Sequence, residues 1–237
     1  MMKKFKRWLI GIVVGLVVLL IVGQLYLKSA AHAPSQTAAT VQKHATTKNG
    51  VLYFGKASAK LTVVMYPGAL VDSGAYSIWA QQVAKAGYRV AIVSFPDDLA
   101  VLKPNAAAEV VKSGHAYVIG GHSLGGVMAS RYAAKHPAGL KGVFFLASYP
   151  DAKGKLNDNL PVLSLTASRD GVLNFNAWRQ AKANLPDTTT YKQLQGGNHA
   201  GFGSYGKQAG DHTPTVSNAK QQQWIATQLT QWLGTLK

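Results

Sequence analysis

Short apolar runs alternate with amphipathic stretches from residue 51 to residue 236, and this alternation constrains the chain more than any other feature. Residues 61–66, 89–94, 116–120, 142–147, 161–167 and 188–194 read as strands, with 51–55 as an edge strand before them. Several of these runs are apolar at nearly every position, the pattern of parallel strands covered on both faces. Residues 75–86, 123–135, 175–184 and 217–236 read as the helices between and after them. The alternation predicts an α/β domain built on a mostly parallel, doubly wound sheet flanked by helices. Such sheets bind ligands beyond the carboxyl ends of their strands. The residues at those ends therefore carry the functional reading.

One strand end stands out. The run Tyr117-Val118-Ile119-Gly120 leads into Gly121-His122-Ser123-Leu124-Gly125-Gly126 and then into the helical pattern that starts at Val127. A G-x-S-x-G turn between a strand and a helix lifts a serine Oγ above the sheet, aimed at the N-terminus of the helix. Gly121 and Gly125 suit it because side chains there would strike the neighbouring strand and helix. The five residues alone are a modest signal, since a serine in a glycine-rich turn can simply cap a helix. The flanking elements raise its weight.

A serine hydroxyl becomes a useful nucleophile when a histidine takes its proton and a carboxylate fixes that histidine's tautomer. In this arrangement the acid follows the serine and the histidine comes last. Asp170, in Ser168-Arg169-Asp170-Gly171, stands directly beyond a strand; Asp151, after Tyr149-Pro150, is the second candidate. Asp158 and Asp187 read as solvated loop acids. His199, in Gln195-Gly196-Gly197-Asn198-His199-Ala200-Gly201, follows the last strand on a loop whose glycines let it fold back over the sheet. His212 is the alternative base, and His136 ends the nucleophile helix. His122 and His115 need no functional role. Two N–H donors must receive the developing oxyanion. Leu124, after the serine, supplies one, and the loop Tyr66-Pro67-Gly68-Ala69-Leu70 supplies the other, with Ala69 favoured over Leu70.

Together Tyr66-Pro67-Gly68, Gly121-His122-Ser123-Leu124-Gly125-Gly126, Ser168-Arg169-Asp170-Gly171 and Gly196-Gly197-Asn198-His199 resemble the α/β-hydrolase superfamily, and within it the small dienelactone-hydrolase-like branch. The resemblance covers residues 51–236. It implies an α/β-hydrolase fold, a Ser123–Asp170–His199 triad, and cleavage of an ester or related acyl bond through an acyl-enzyme without a cofactor. The chain departs from dienelactone hydrolases in carrying serine where they carry cysteine, so their substrate does not transfer. Residues 149–160, where larger relatives insert a cap, are few here, which predicts an open cleft and a small or surface-presented substrate.

Residues 8–27 hold one strongly polar residue, Gln24, and a helix of that length spans about 30 Å, the thickness of a bilayer core. Lys3, Lys4, Lys6 and Arg7 precede it, and Lys28 alone follows closely, so the positive-inside rule predicts a single-pass anchor with the catalytic domain outside the cytoplasm. Ala31-His32-Ala33 has the form of a signal-peptide cleavage site, which gives secretion as the alternative. The predicted division is an anchor at 1–28, a flexible tether at 29–49 and a hydrolase domain at 50–237. The formal net charge is +16. A basic surface can attract nucleic acid, anionic lipid or an anionic cell-wall polymer. The lysines are scattered, with no arginine-rich helix or basic–aromatic ladder, which argues against nucleic acid and makes the charge a signal of location. The absence of cysteine excludes disulfides, thiolate metal sites and a cysteine nucleophile.

Two other readings use the same residues. Acyl transfer to a cell-envelope hydroxyl would need the same triad, and its acceptor site leaves no short motif. A non-catalytic surface-binding module on this fold would be expected to have lost part of the triad. Oligomeric state leaves no mark on the sequence.

Overall fold

The structure, a computed structural model, describes residues 2–111 and 115–236. The chain divides into two units, one ending at Ala31 and one beginning at His32. Helix α1 (Met2–Ala30) makes up the first. Its stretch Ile12–Ala30 has a mean hydropathy of 2.2 and is long and apolar enough to cross a membrane. The helix runs beyond the end expected for the apolar run, so Ser29 and Ala30 belong to it and not to a tether.

The second unit is an eight-stranded sheet in the order β1-β2-β4-β3-β5-β6-β7-β8. Its strands are β1 (Thr46–Lys48), β2 (Val51–Phe54), β3 (Leu61–Tyr66), β4 (Arg89–Val93), β5 (Ala116–His122), β6 (Leu140–Leu146), β7 (Val162–Ala167) and β8 (Thr190–Leu194). β1 and β2 are antiparallel to their neighbours, and every pairing from β4 to β8 is parallel. All six residues of β7 are buried, which accounts for its unbroken apolar run. The strand expected at the edge, β2, is covered by β1.

Helices α3 (Ser77–Lys85) and α6 (Asn218–Leu233) pack on each other and on one face of the sheet around Trp79, Val83, Ile225, Leu229 and Trp232. Helix α4 (Leu124–Lys135) covers the other face through Met128, Ala129, Tyr132 and Ala133. The Ser217 Oγ accepts from Lys220 N at 3.2 Å and caps α6. The expected helix at 175–184 is α5 (Phe175–Gln180) followed by a 3-10 turn.

The predicted tether is overturned. His32 pairs with Val71 as a parallel bridge, its N–H donating to Leu70 O at 2.7 Å and its carbonyl accepting from Asp72 N at 3.1 Å. Ser35 N donates to Ser204 O at 2.6 Å, and the two hydroxyls lie 2.8 Å apart. Helix α2 (Gln36–Gln42) buries Ala38 completely and packs on α3. The polar composition of this segment misled because its order comes from backbone hydrogen bonds to loops, which need no apolar pattern.

Candidate active site

The chain reverses its direction of winding between β3 and β5, and the loops leaving their carboxyl ends face each other there. The turn after β5 holds Ser123 at φ 52° and ψ −126°, in the left-handed region a serine seldom occupies. Ser123 N donates to Leu146 O at 3.1 Å, and its carbonyl accepts from Gly126 N at 3.1 Å and from Ser148 Oγ at 2.5 Å. A Cβ on Gly125 would strike the carbonyl oxygens of Tyr66 and Pro67, and one on Gly121 would strike the backbone of Gly125 and Gly126. These collisions are the ones expected from the spacing of the turn. Ser123 is partly exposed, whereas His122 beside it is 1% exposed.

Asp170 and His199 meet. His199 Nδ1 lies 2.8 Å from Asp170 Oδ2, and both side chains are almost completely buried. The other oxygen, Asp170 Oδ1, accepts from Val172 N at 2.9 Å and Leu173 N at 2.7 Å, which fixes the carboxylate plane. His199 Nε2 is buried and makes no hydrogen bond, so the structure brings the candidate acid and base together without a bond to Ser123 Oγ. Such bonds are commonly long before substrate arrives.

Asp151, the second candidate acid, is engaged elsewhere. It pairs with the Arg131 guanidinium of α4 and accepts from Gly154 N at 3.1 Å. The hydrogen bond from Arg131 holds its carboxyl below the usual range. His212 is exposed, its carbonyl accepting from Asn198 Nδ2 at 3.0 Å, and His136 stacks on Tyr132, ring centroids 4.4 Å apart.

Most N–H groups of the loop after β3 already have acceptors. Gly68 N donates to Tyr76 Oη at 2.9 Å, Leu70 N to Asp98 O at 2.9 Å and Val71 N to Gly68 O at 3.2 Å. Ala69 is left as the candidate. On the other side, Leu124 opens α4, and the first N–H groups of a helix have no acceptor within it. Ala69 and Leu124 are both partly exposed.

Several residues that build the site had no assigned part in the sequence reading. Gln221 of α6 brackets the backbone of Asn198, accepting from its N–H at 3.1 Å and donating to its carbonyl at 2.8 Å. Gln222 donates to Gly201 O at 2.8 Å and Gly203 O at 2.9 Å. Asp211 ties the two loops together, accepting from Ala200 N at 2.8 Å and Gly171 N at 3.0 Å. A groove of about 780 Å³ behind the histidine loop is lined by Thr37, Asn198, Gly201, Lys207 and Pro214 among others, and by none of Ser123, Asp170 or His199. Among the described residues, no group of three or more His, Asp or Glu side chains converges in a way that could hold a metal ion.

The family described as Alpha/beta hydrolase family matches residues 62–223, more than half of the chain, and the protein belongs to that family. No curated protein matches the sequence. Among solved structures, a predicted CIB-like hydrolase from Thermoplasma acidophilum is 15% identical, with a TM-score of 0.56 over 78% of this chain and 95% of its own. MGS-MChE2, an alpha/beta hydrolase from the metagenome of Mar Chica lagoon sediments, is 14% identical with a TM-score of 0.58, covering 81% and 98%. Carboxylesterase CesB of Bacillus subtilis is 9% identical with a TM-score of 0.58, covering 89% and 98%. At these identities the likeness is one of fold.

Proposed function

We propose that the protein is a serine hydrolase of ester bonds, with Ser123 as nucleophile, His199 as general base and Asp170 as the group that orients it. The observation that carries this reading is the buried 2.8 Å contact between His199 Nδ1 and Asp170 Oδ2, on loops that flank the strained Ser123 turn. A carboxylate on Nδ1 leaves Nε2 as the acceptor for the serine proton. Attack on the acyl carbon then places negative charge where Leu124 N and Ala69 N can donate to it. Collapse expels the alcohol, protonated by His199, and water repeats the sequence on the acyl-enzyme. Esterases among the structures of similar fold, such as the carboxylesterase CesB, support an ester as the substrate class.

Only a single 3-10 turn, Ala152–Gly154, stands in the connection from β6 to β7. This supports the capless, dienelactone-hydrolase-like branch and a small or surface-presented acyl group. The apolar helix preceded by cations supports a single-pass anchor with the domain outside the cytoplasm.

A fluorophosphonate probe should label the intact protein and fail on Ser123→Ala. Absence of labelling in the unaltered chain would sink the assignment. On p-nitrophenyl esters, turnover should fall as the acyl chain lengthens. Product analysis with sugar or polyol acceptors present separates hydrolysis from acyl transfer.

A further inference from the structure

We infer that Tyr76 is a positioning residue: its phenol ties the oxyanion loop to the nucleophile turn and dictates which nitrogen of His122 carries its proton. The inference rests on the serine-hydrolase reading for its kinetic consequences, but its geometry stands alone. Gly68 N can only donate, and it donates to Tyr76 Oη at 2.9 Å. The phenol's own proton is therefore free for His122 Nδ1, 3.0 Å away. His122 Nδ1 is thus an acceptor and its ring proton sits on Nε2, which is buried and makes no hydrogen bond. All three groups are buried, with Tyr76 0% and His122 1% exposed. The fit is close, since a Cβ on Gly68 would lie 2.8 Å from His122 Nδ1 and 3.3 Å from Tyr76 Oη.

The His122 ring lies 4.5 Å from that of His199, centroid to centroid. During reaction His199 becomes an imidazolium, and a second cation at that distance would oppose it. The chain keeps His122 neutral. Burial acts first and the neighbouring His199 second, holding the imidazole well below its ordinary 6.5. Protonating Nδ1 would also force the phenol to accept from both sides, leaving its own O–H buried without an acceptor. The groups that face His122 are Tyr76 from the 3-10 turn Ser73–Tyr76, and His199, Phe202 and Tyr205 from the histidine loop. Asp170 contacts His199 through Oδ2, and its Oδ1 is held by Val172 N and Leu173 N.

The test compares Tyr76→Phe, His122→Asn and the double variant in the full-length chain, with the active fraction counted by fluorophosphonate titration. Tyr76→Phe frees the Gly68 N–H and removes the donor to His122 Nδ1, so that nitrogen takes up a proton more readily although its burial is unchanged. Its kcat should fall by roughly tenfold to a hundredfold, below the loss from removing an oxyanion donor outright, with KM within about twofold. The acid limb of its kcat profile should move to higher pH. His122→Asn keeps an acceptor for the phenol but cannot become cationic, so its kcat should stay within severalfold and its acid limb should not move. The double variant should keep the low kcat and regain the original limb. An unchanged kcat and limb in Tyr76→Phe, or a shifted limb in the double variant, overturns the inference. Imidazole ¹⁵N spectra of the unaltered protein test it without turnover. His122 should show the Nε2–H tautomer with no titration near pH 6.5, and an Nδ1–H tautomer would overturn the relay even if ester hydrolysis stands. Conversely, a correct tautomer in a protein that cleaves no ester would fault the serine-hydrolase reading and spare the relay.

Discussion

Asp151 and Asp170 both stand a few residues beyond a strand, and what separates them is what each carboxylate already holds. Asp151 is occupied by Arg131 and Gly154 N, whereas Asp170 uses one oxygen on two backbone N–H groups and turns the other to His199. Asp170→Asn should lower kcat by about 10⁴ through the wrong imidazole tautomer, while Asp151→Asn leaves it within about twofold, as steady-state kinetics would show. His122 makes a second prediction, about stability. Its folded-state proton affinity is depressed, so below pH 6.5 the unfolded chain takes up a proton that the folded chain refuses. Stability is full above that pH and declines as pH falls below it. Urea melts at pH 7 and pH 5 should show this decline flattened in His122→Asn.

At the scale of elements, the parallel strands and the turn after β5 were legible because burial on both faces and steric exclusion leave marks in single residues. Gly125 is the clearest case: its space is filled by the Tyr66 and Pro67 carbonyls. Gly125→Ala should therefore cost about 1–3 kcal/mol or more, seen as a lower Tm and a poor soluble yield. Gln221 and Gln222 were not legible. A glutamine on a helix looks the same whether it is solvated or clamps a loop some twenty positions earlier, and only the fold decides. His122, set aside in the sequence because it filled the free position of the turn, acquires partners only when the 3-10 turn Ser73–Tyr76 is laid against it. The segment from His32 to β1 failed for a related reason. A seven-residue helix and a three-residue strand are too short to show a period, and their contacts are made by backbone and small side chains.

The molecule as a whole is strongly basic, with 25 Lys and Arg against 9 Asp and Glu. A field of one sign draws anionic ligands and is weakened by salt. The kcat/KM for an anionic ester should exceed that for a neutral one of equal size at low ionic strength, and the two should converge as salt is added. His32 links the predicted cleavage sequence to the loop after β3. It lies inside the Ala31-His32-Ala33 sequence, and its backbone makes two hydrogen bonds to Leu70 and Asp72 beside the candidate Ala69 donor. A protease cutting after Ala33 would free a domain that begins at Pro34 and lacks both bonds, each worth about 0.5–1.5 kcal/mol net. Shed molecules should then turn over more slowly than retained ones, a difference that kinetics on chains beginning at His32 and at Pro34 would measure. Where the chain is cut would thus act as a volume control on the enzyme, with diffusion gained at the expense of rate.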